Sequence, residues 1–218
     1  MSLVQAIITK DFILVGADKR GMIIEDKIIN EECNKMIKLN KGIIFACTGG
    51  IKDNYKLFKD YCNYSDEVGL MPLEREKEVS YSEFVKRIST RYQEMSLEHN
   101  NDENLRTYDI HSIICGYNGE EFEITAFSLG AKKGMVDGIY KIHKAPDFIY
   151  RGVNLGEEMH MEMLHELVGI TYHKFGKVTM LQYKNIILEV FEKGSKLDET
   201  INTNVCFERI KKNAVLNE

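Results

Sequence analysis

The chain has 218 residues, of which 44% are hydrophobic and 29% charged, a composition typical of a globular protein long enough to bury a substantial core. Its formal net charge of −5 disfavours a primary role in binding nucleic acid. The sequence shows no apolar run long enough for a membrane span and no signal peptide, so we expect one cytoplasmic domain over residues 1–218. Five cysteines show no paired spacing, and we expect reduced thiols: Cys33, Cys47, Cys62, Cys115 and Cys206.

The first eighteen residues predict a β-hairpin. Apolar residues alternate along residues 4–8, a polar turn follows at residues 9–11, and a second apolar run covers residues 13–17. Apolar runs bounded by turn residues are typical of buried antiparallel strands. If the two strands pair around that turn, their far ends meet, which places Ser2 close to Asp18.

A third polar residue, Lys35, opens a later strand at residues 35–39. A hydroxyl beside a free α-amine, a carboxylate and a lysine is a known means of activating a nucleophile. Ser2, Asp18 and Lys35 are therefore the candidate catalytic residues. Other interpretations of each stay open: an ordinary or artificial chain terminus for Ser2, a strand-end pairing with its basic neighbours for Asp18, and a solvated surface position for Lys35.

The rest of the chain predicts a regular order of helices and strands. Apolar periodicity and capping patterns predict helices over residues 51–63, after Ser80, after Asn154, and from Thr179 to Gly194. β-rich apolar runs predict strands at residues 108–116 and 121–129, joined by the hairpin signal Asn118-Gly119, two short strands at 139–142 and 148–151, and a closing strand at 203–210. The order is strands, two helices, strands, two helices, strand. Two sheets packed face to face, with helices outside both, would bury every apolar stripe.

Three stretches resemble the proteasome β-subunit family and its bacterial relative HslV, which are N-terminal nucleophile hydrolases. They are VQAIITKDFILVGADKRG, NKMIKL and IIFACTGGIKDNYKLF. The resemblance implies an α+β fold of the four-layer αββα sandwich type. It places Ser2 where that family has its threonine nucleophile, Asp18 on the family's aspartate and, with one inserted residue, Lys35 on its lysine. Arg20 matches a basic residue of the same motif.

The resemblance also implies a function. We expect a peptidase subunit that hydrolyses peptide or amide bonds in peptides or unfolded proteins, in a homo-oligomeric ring that could work with a regulatory ATPase. A scaffold subunit without chemistry and a small-molecule amidase on the same fold remain alternatives. An oxyanion donor is expected among the backbone amides near residues 46–48. Asp198, Glu199 and Thr200 lie near the place of two further supporting residues of the family.

No motif for a cofactor or a metal is recognisable. The glycines before residue 51 lack the lysine and hydroxyl residue of a phosphate-binding loop. The histidines and glutamates of residues 160–166 lack the spacing of a zinc motif, since Gly169 stands where the second histidine would be. We expect these side chains to be solvated on a helix, and we expect no cofactor and no metal.

Overall fold

The protein is described from a computed structural model, which covers residues 3–23, 27–49, 64–65, 69–70, 79–101, 110–129, 141–146 and 150–215. Ser2 and the predicted helix over residues 51–63 lie outside the described residues. The described strands are β1 (Val4–Ile8), β2 (Phe12–Asp18), β3 (Gly21–Ile23), β4 (Lys27–Asn30), β5 (Met36–Asn40), β6 (Ile43–Gly49), β7 (Tyr64–Ser65), β8 (Gly69–Leu70), β9 (Ile110–Tyr117), β10 (Phe122–Leu129), β11 (Lys141–Lys144), β12 (Arg151–Leu155) and β13 (Val205–Lys211). The described helices are α1 (Tyr81–Asn101), α2 (Glu158–Phe175), α3 (Met180–Ser195) and the short α4 (Lys212–Val215).

Two antiparallel sheets form the centre of the molecule. One has the strand order β12-β1-β2-β13 and the other has the order β11-β10-β9-β6-β5. The predicted opening hairpin is confirmed, since β1 and β2 pair from Val4 opposite Ala17 to Ile8 opposite Ile13. The hydroxyl oxygen of Thr9 accepts the backbone N–H groups of residues 11 and 12 and so closes the turn.

Three layers of buried side chains separate four layers of secondary structure. Alternation along β1 directs Val4 and Ala6 into the core between the sheets and Leu3 and Ile7 into the core under α2 and α3. A third core lies between α1 and the other sheet, with Phe45 among its members. The fold is therefore an αββα sandwich, as predicted.

Two of the predicted helix starts are confirmed by their capping contacts. The N–H of Glu83 donates to the Ser80 hydroxyl at 3.3 Å at the start of α1. Thr179 and Gln182 form a reciprocal capping box at the start of α3. The hairpin between β9 and β10 is confirmed as well, and its Gly119 has a φ of 106°, which favours glycine.

The predicted start of α2 is wrong. Asn154 lies in β12, opposite Gln5 of β1, and the helix begins only at Glu158. Pairing with β1 holds this segment extended, which overrides its local tendency to begin a helix. Asn154 instead donates its side-chain N–H to the carbonyl of Glu157 at 2.7 Å. The two short strands predicted at 139–142 and 148–151 correspond to β11 and β12, and residues 139–140 and 148–149 lie outside the described residues.

The composition led us to expect no membrane span and reduced cysteines. Among the described helices, none has the length and apolar character that crossing a membrane requires. The described cysteines, Cys33, Cys47, Cys115 and Cys206, are thiols, and the first three are buried.

Candidate active site

A buried ion pair joins Asp18 and Lys35. The Lys35 Nζ lies 2.7 Å from the Asp18 Oδ2, and the exposed fractions of the two side chains are 6% and 0%. The predicted contact is therefore confirmed, and Lys35 is not a solvated surface residue. The basic neighbours of Asp18 have other acidic partners: Lys19 pairs with Glu32, and Arg20 pairs with Glu31.

The pair bridges the two sheets at one end of the sandwich. Asp18 is the last residue of β2, and Lys35 immediately precedes β5 of the other sheet. A buried carboxylate is costly unless hydrogen bonds satisfy it. Asp18 meets that need, since its Oδ1 accepts the N–H of Leu3 at 2.8 Å and its Oδ2 accepts the N–H of Arg20 at 3.1 Å.

Burial controls the charge of Lys35. It lowers the pKa of the Lys35 ammonium from its ordinary value, because removal from water penalises the charged form. The Asp18 carboxylate opposes this shift through its charge and hydrogen bond, and the thiols of Cys33 and Cys206 add smaller opposing effects. The result is an ammonium group that releases a proton more readily than a surface lysine while it stays fixed in position.

The third candidate residue, Ser2, lies outside the described residues. Its covalent neighbour Leu3 is fully buried, and the amide nitrogen that joins the two residues donates to Asp18. The backbone N–H of Asp18 in turn donates to the Leu3 carbonyl at 3.2 Å. The Asp18–Lys35 pair is therefore tied to the start of β1 by two hydrogen bonds.

The strand ladder fixes the directions of the backbone amides in β6, which lies between β5 and β9. Cys47 donates its N–H to the Lys35 carbonyl at 2.9 Å, so that amide is already engaged. Successive amides of an antiparallel strand point to opposite sides, which turns those of Ala46 and Thr48 towards β9. The N–H of Gly49 points to the same side as that of Cys47, past the beginning of β5 at Met36.

Gly49 lies one residue beyond the range 46–48 in which the oxyanion donor was expected. Its φ is 100°, a conformation that favours glycine, and the residue is exposed. The sequence carried one usable signal, because Gly49 lies two residues beyond Cys47 in the same strand and so shares its side of the sheet.

The turn at residues 198–200 also lies near this end. Asp198 accepts hydrogen bonds from the backbone N–H and the hydroxyl of Thr200, at 2.8 and 2.6 Å. Burial of Asp198 opposes its charge, but these bonds outweigh that effect and hold the pKa of its carboxyl below the ordinary value. The guanidinium of Arg20 donates to the carbonyl of Glu199 and connects the turn to the segment that follows Asp18.

The prediction that the histidines and glutamates of residues 160–166 are all solvated is wrong for His160. Its side chain is 1% exposed, and its carbonyl accepts the side-chain N–H of Gln5 at 3.0 Å. Its ring packs on Gly194, where an added Cβ would lie 3.0 Å from the Nε2 atom. The other three side chains of this group, Glu162, His165 and Glu166, are exposed as predicted.

Comparisons with known proteins agree with the architecture. The sequence model described as proteasome subunit matches residues 3–135, which is more than half of the chain. The crystal structure of eukaryotic HslV from Trypanosoma brucei is similar, with a TM-score of 0.57 and 14% sequence identity over 96% of this chain and 99% of that chain. At such low identity the likeness concerns the fold alone. No curated protein gives a significant match.

Proposed function

This chain belongs to the proteasome subunit family, and we propose that it is an N-terminal nucleophile peptidase subunit that hydrolyses peptide or amide bonds. The observation that carries the proposal is the buried Asp18–Lys35 ion pair, hydrogen-bonded to the amide of Leu3 at the start of β1. A buried, hydrogen-bonded charge pair is costly to assemble for stability alone. Its position beside the first strand gives it a chemical use, because a nucleophile at Ser2 needs such a neighbour.

The proposed reaction begins once Met1 has been removed, so that the hydroxyl and a free α-amine belong to the same residue. The α-amine of Ser2 takes the hydroxyl proton, directly or through water, as the oxygen attacks the substrate carbonyl carbon. The proton passes to the departing amine as the C–N bond breaks, which leaves an acyl ester on Ser2. Water then attacks that ester, releases the carboxylic acid and restores the hydroxyl.

Each remaining residue has a defined part in this scheme. The positive charge of Lys35 lowers the proton affinity of the nearby hydroxyl and α-amine. Asp18 keeps Lys35 in place through the contact at 2.7 Å. The N–H of Gly49 serves as the donor for the negative oxygen of the tetrahedral intermediate, the kind of interaction that often makes the largest single contribution to catalysis.

The proposal extends to assembly and partners. We propose a homo-oligomeric ring in the cytoplasm, with peptides or unfolded proteins as substrates and an ATPase as a candidate regulator. Family membership supports the ring. Light scattering of the purified protein at micromolar concentration tests it, and a monomeric mass would contradict this part of the proposal.

The test of the chemistry compares proteins that differ only at the N-terminus. The chain is produced with its own first residues, and its intact mass establishes whether Met1 is present. Hydrolysis of fluorogenic peptide amides and of an unfolded protein is then measured for the parent, for Ser2→Ala and Ser2→Thr, and for a form that retains Met1. Thr203→Ala, at an exposed position, is the control for truncating a hydroxyl side chain away from the start of the chain.

We expect hydrolysis by the parent and by Ser2→Thr, which keeps the hydroxyl. We expect none by Ser2→Ala or by the form that retains Met1, which lack the hydroxyl and the adjacent free amine, respectively. Equal activity of the two Met1 forms would overturn the N-terminal nucleophile. A parent that cleaves only small amides would favour the amidase alternative, and a correctly processed but inactive ring would favour the scaffold alternative.

A further inference from the structure

A set of polar side chains fastens three separate segments beside the Asp18–Lys35 pair. The segments follow β2, precede β5 and connect α3 to β13. We call this set the clamp, and its members are Lys19, Arg20, Glu31, Glu32, Asn202 and Asn204. The resemblance assigned none of them a role, apart from the basic match at Arg20.

Asn202 is the buried member of the clamp, with an exposed fraction of 6%. Its side-chain oxygen accepts the backbone N–H of Lys19 at 3.1 Å. Its side-chain N–H group donates to the carboxylate of Glu31 at 2.7 Å. One amide therefore holds the residue directly after Asp18 and a residue four positions before Lys35.

The outer members of the clamp reinforce the same connection. Lys19 and Asn204 both donate to the carboxylate of Glu32, and Arg20 pairs with Glu31 at 3.2 Å. Hydrogen bonds from Asn202 and Arg20 lower the pKa of Glu31, and that from Lys19 lowers the pKa of Glu32. Both carboxylates therefore stay ionised at neutral pH.

The ion pair depends on this arrangement because Asp18 ends a strand of one sheet and Lys35 precedes a strand of the other. A contact of 2.7 Å across that junction tolerates little relative movement of the two segments. Backbone hydrogen bonds cross the same junction, as when Cys33 donates its N–H to the Lys19 carbonyl at 2.8 Å. The side-chain amide of Asn202, in the third segment, contacts both of the other segments.

We propose that Asn202 is a positioning residue for the Asp18–Lys35 pair, which it aligns by holding the segment after β2 against the segment before β5. The role in catalysis rests on the proposed function, whereas the alignment of the pair can be tested without it. If the alignment is lost and water reaches Lys35, its pKa rises towards the ordinary value, because relief from burial, the largest influence, outweighs loss of the opposing effect of Asp18.

The experiment measures the pKa of Lys35 and the rate of peptide hydrolysis in the same variants of the assembled protein. Trace acetylation across a pH series, with the Lys35 peptide quantified by mass spectrometry, reports the pKa whatever the size of the assembly. Asn202→Ala removes both hydrogen bonds, and Thr203→Ala next to it is the exposed control. We expect Asn202→Ala to raise the pKa of Lys35 and to lower kcat by about 10- to 100-fold, with KM nearly unchanged.

A second pair of variants distinguishes positioning from general damage to the fold. Asn202→Asp keeps the acceptor for Lys19 but sets a carboxylate against Glu31, so it should resemble Asn202→Ala. Adding Glu31→Gln restores a donor and an acceptor with their roles exchanged, and it should return the pKa of Lys35 and kcat towards the values of Glu31→Gln alone. This rescue would not occur if Asn202 served only to stabilise the fold.

The outcomes separate the two proposals. An unchanged Lys35 pKa in Asn202→Ala, or failure of the rescue in folded protein, would overturn the positioning role even if hydrolysis is robust. If the parent chain shows no hydrolysis, the proposed function fails, while a shifted and rescued Lys35 pKa still supports the alignment of the pair by Asn202.

Discussion

Removing Lys35 tests the central ion pair most directly. The Lys35→Ala substitution leaves the Asp18 carboxylate, which is fully buried, without its partner at 2.7 Å. Breaking a buried pair by removing one member generally costs about 3–5 kcal/mol. Asp18 keeps the backbone N–H donors of Leu3 and Arg20, so we expect the lower end, about 3 kcal/mol of unfolding free energy.

Urea denaturation measures this loss, with all proteins compared at one concentration because assembly contributes to apparent stability. With a urea dependence of about 3 kcal/mol per molar, a loss of that size lowers the midpoint by about 1 M. Lys35→Met keeps an apolar stem and removes the charge, which separates the electrostatic cost from lost packing. The double variant Asp18→Asn with Lys35→Met replaces the charged pair by neutral groups of similar size.

We expect Lys35→Met to lose nearly as much stability as Lys35→Ala, since both leave the carboxylate without its cation. The double variant should regain most of the loss, because no uncompensated charge remains buried. A loss below about 1 kcal/mol for Lys35→Ala is what an exposed ion pair would give, and it would refute the reasoning. A double variant as unstable as the single one would refute it as well.

Three further predictions concern the scaffold. Gly16→Ala should lower the free energy of unfolding by about 1–3 kcal/mol, because the added Cβ would lie 2.8 Å from the side chain of Ile187. In Gly169→Ala, in α2, the added Cβ meets nothing within 4 Å, and the variant should gain about 0.5–1 kcal/mol. Urea denaturation of both variants checks that the two changes have opposite signs. Thr179→Ala, which removes the capping box, should cost about 1 kcal/mol in the same assay, and a change near zero would contradict the role of the cap. Burial raises the pKa of Tyr81, so the phenol of the unfolded chain ionises above about pH 10 while that of the folded chain does not, and stability should fall as the pH rises further. Tyr81→Phe should weaken this fall of the melting temperature with pH. An unchanged dependence on pH would contradict the prediction.

The sequence by itself determined the opening hairpin and with it one half of the candidate site. Alternation of apolar residues over residues 4–8 and the polar turn at residues 9–11 are local signals, and a two-strand register follows from the turn. That register alone brings the start of β1 to Asp18. The pairing with Lys35 was predicted from the resemblance, which matched Lys35 to the lysine of the family; the need of a carboxylate for a cation does not by itself select Lys35 over Lys19 or Arg20.

Helix limits were predictable where a cap is formed by neighbouring residues. Ser80 and Thr179 each bond to a residue three positions later, so the signal and the contact lie in the same short segment. Asn154 shows where this reasoning fails. Its place in the molecule is decided by β1, which lies about 150 residues earlier and pairs with it, and no local pattern records that partner.

Only the tertiary structure decided the remaining features, and the reason is the same in each. His160 was grouped with solvated residues because it is polar, and Gly194, the glycine of another helix that leaves room for its buried ring, is remote in sequence. Asn202 acts on Lys19 and Glu31, which are remote in sequence. The side to which the Gly49 N–H points is set by the pairing of β6 with β5 and β9, two strands that are remote from each other in sequence.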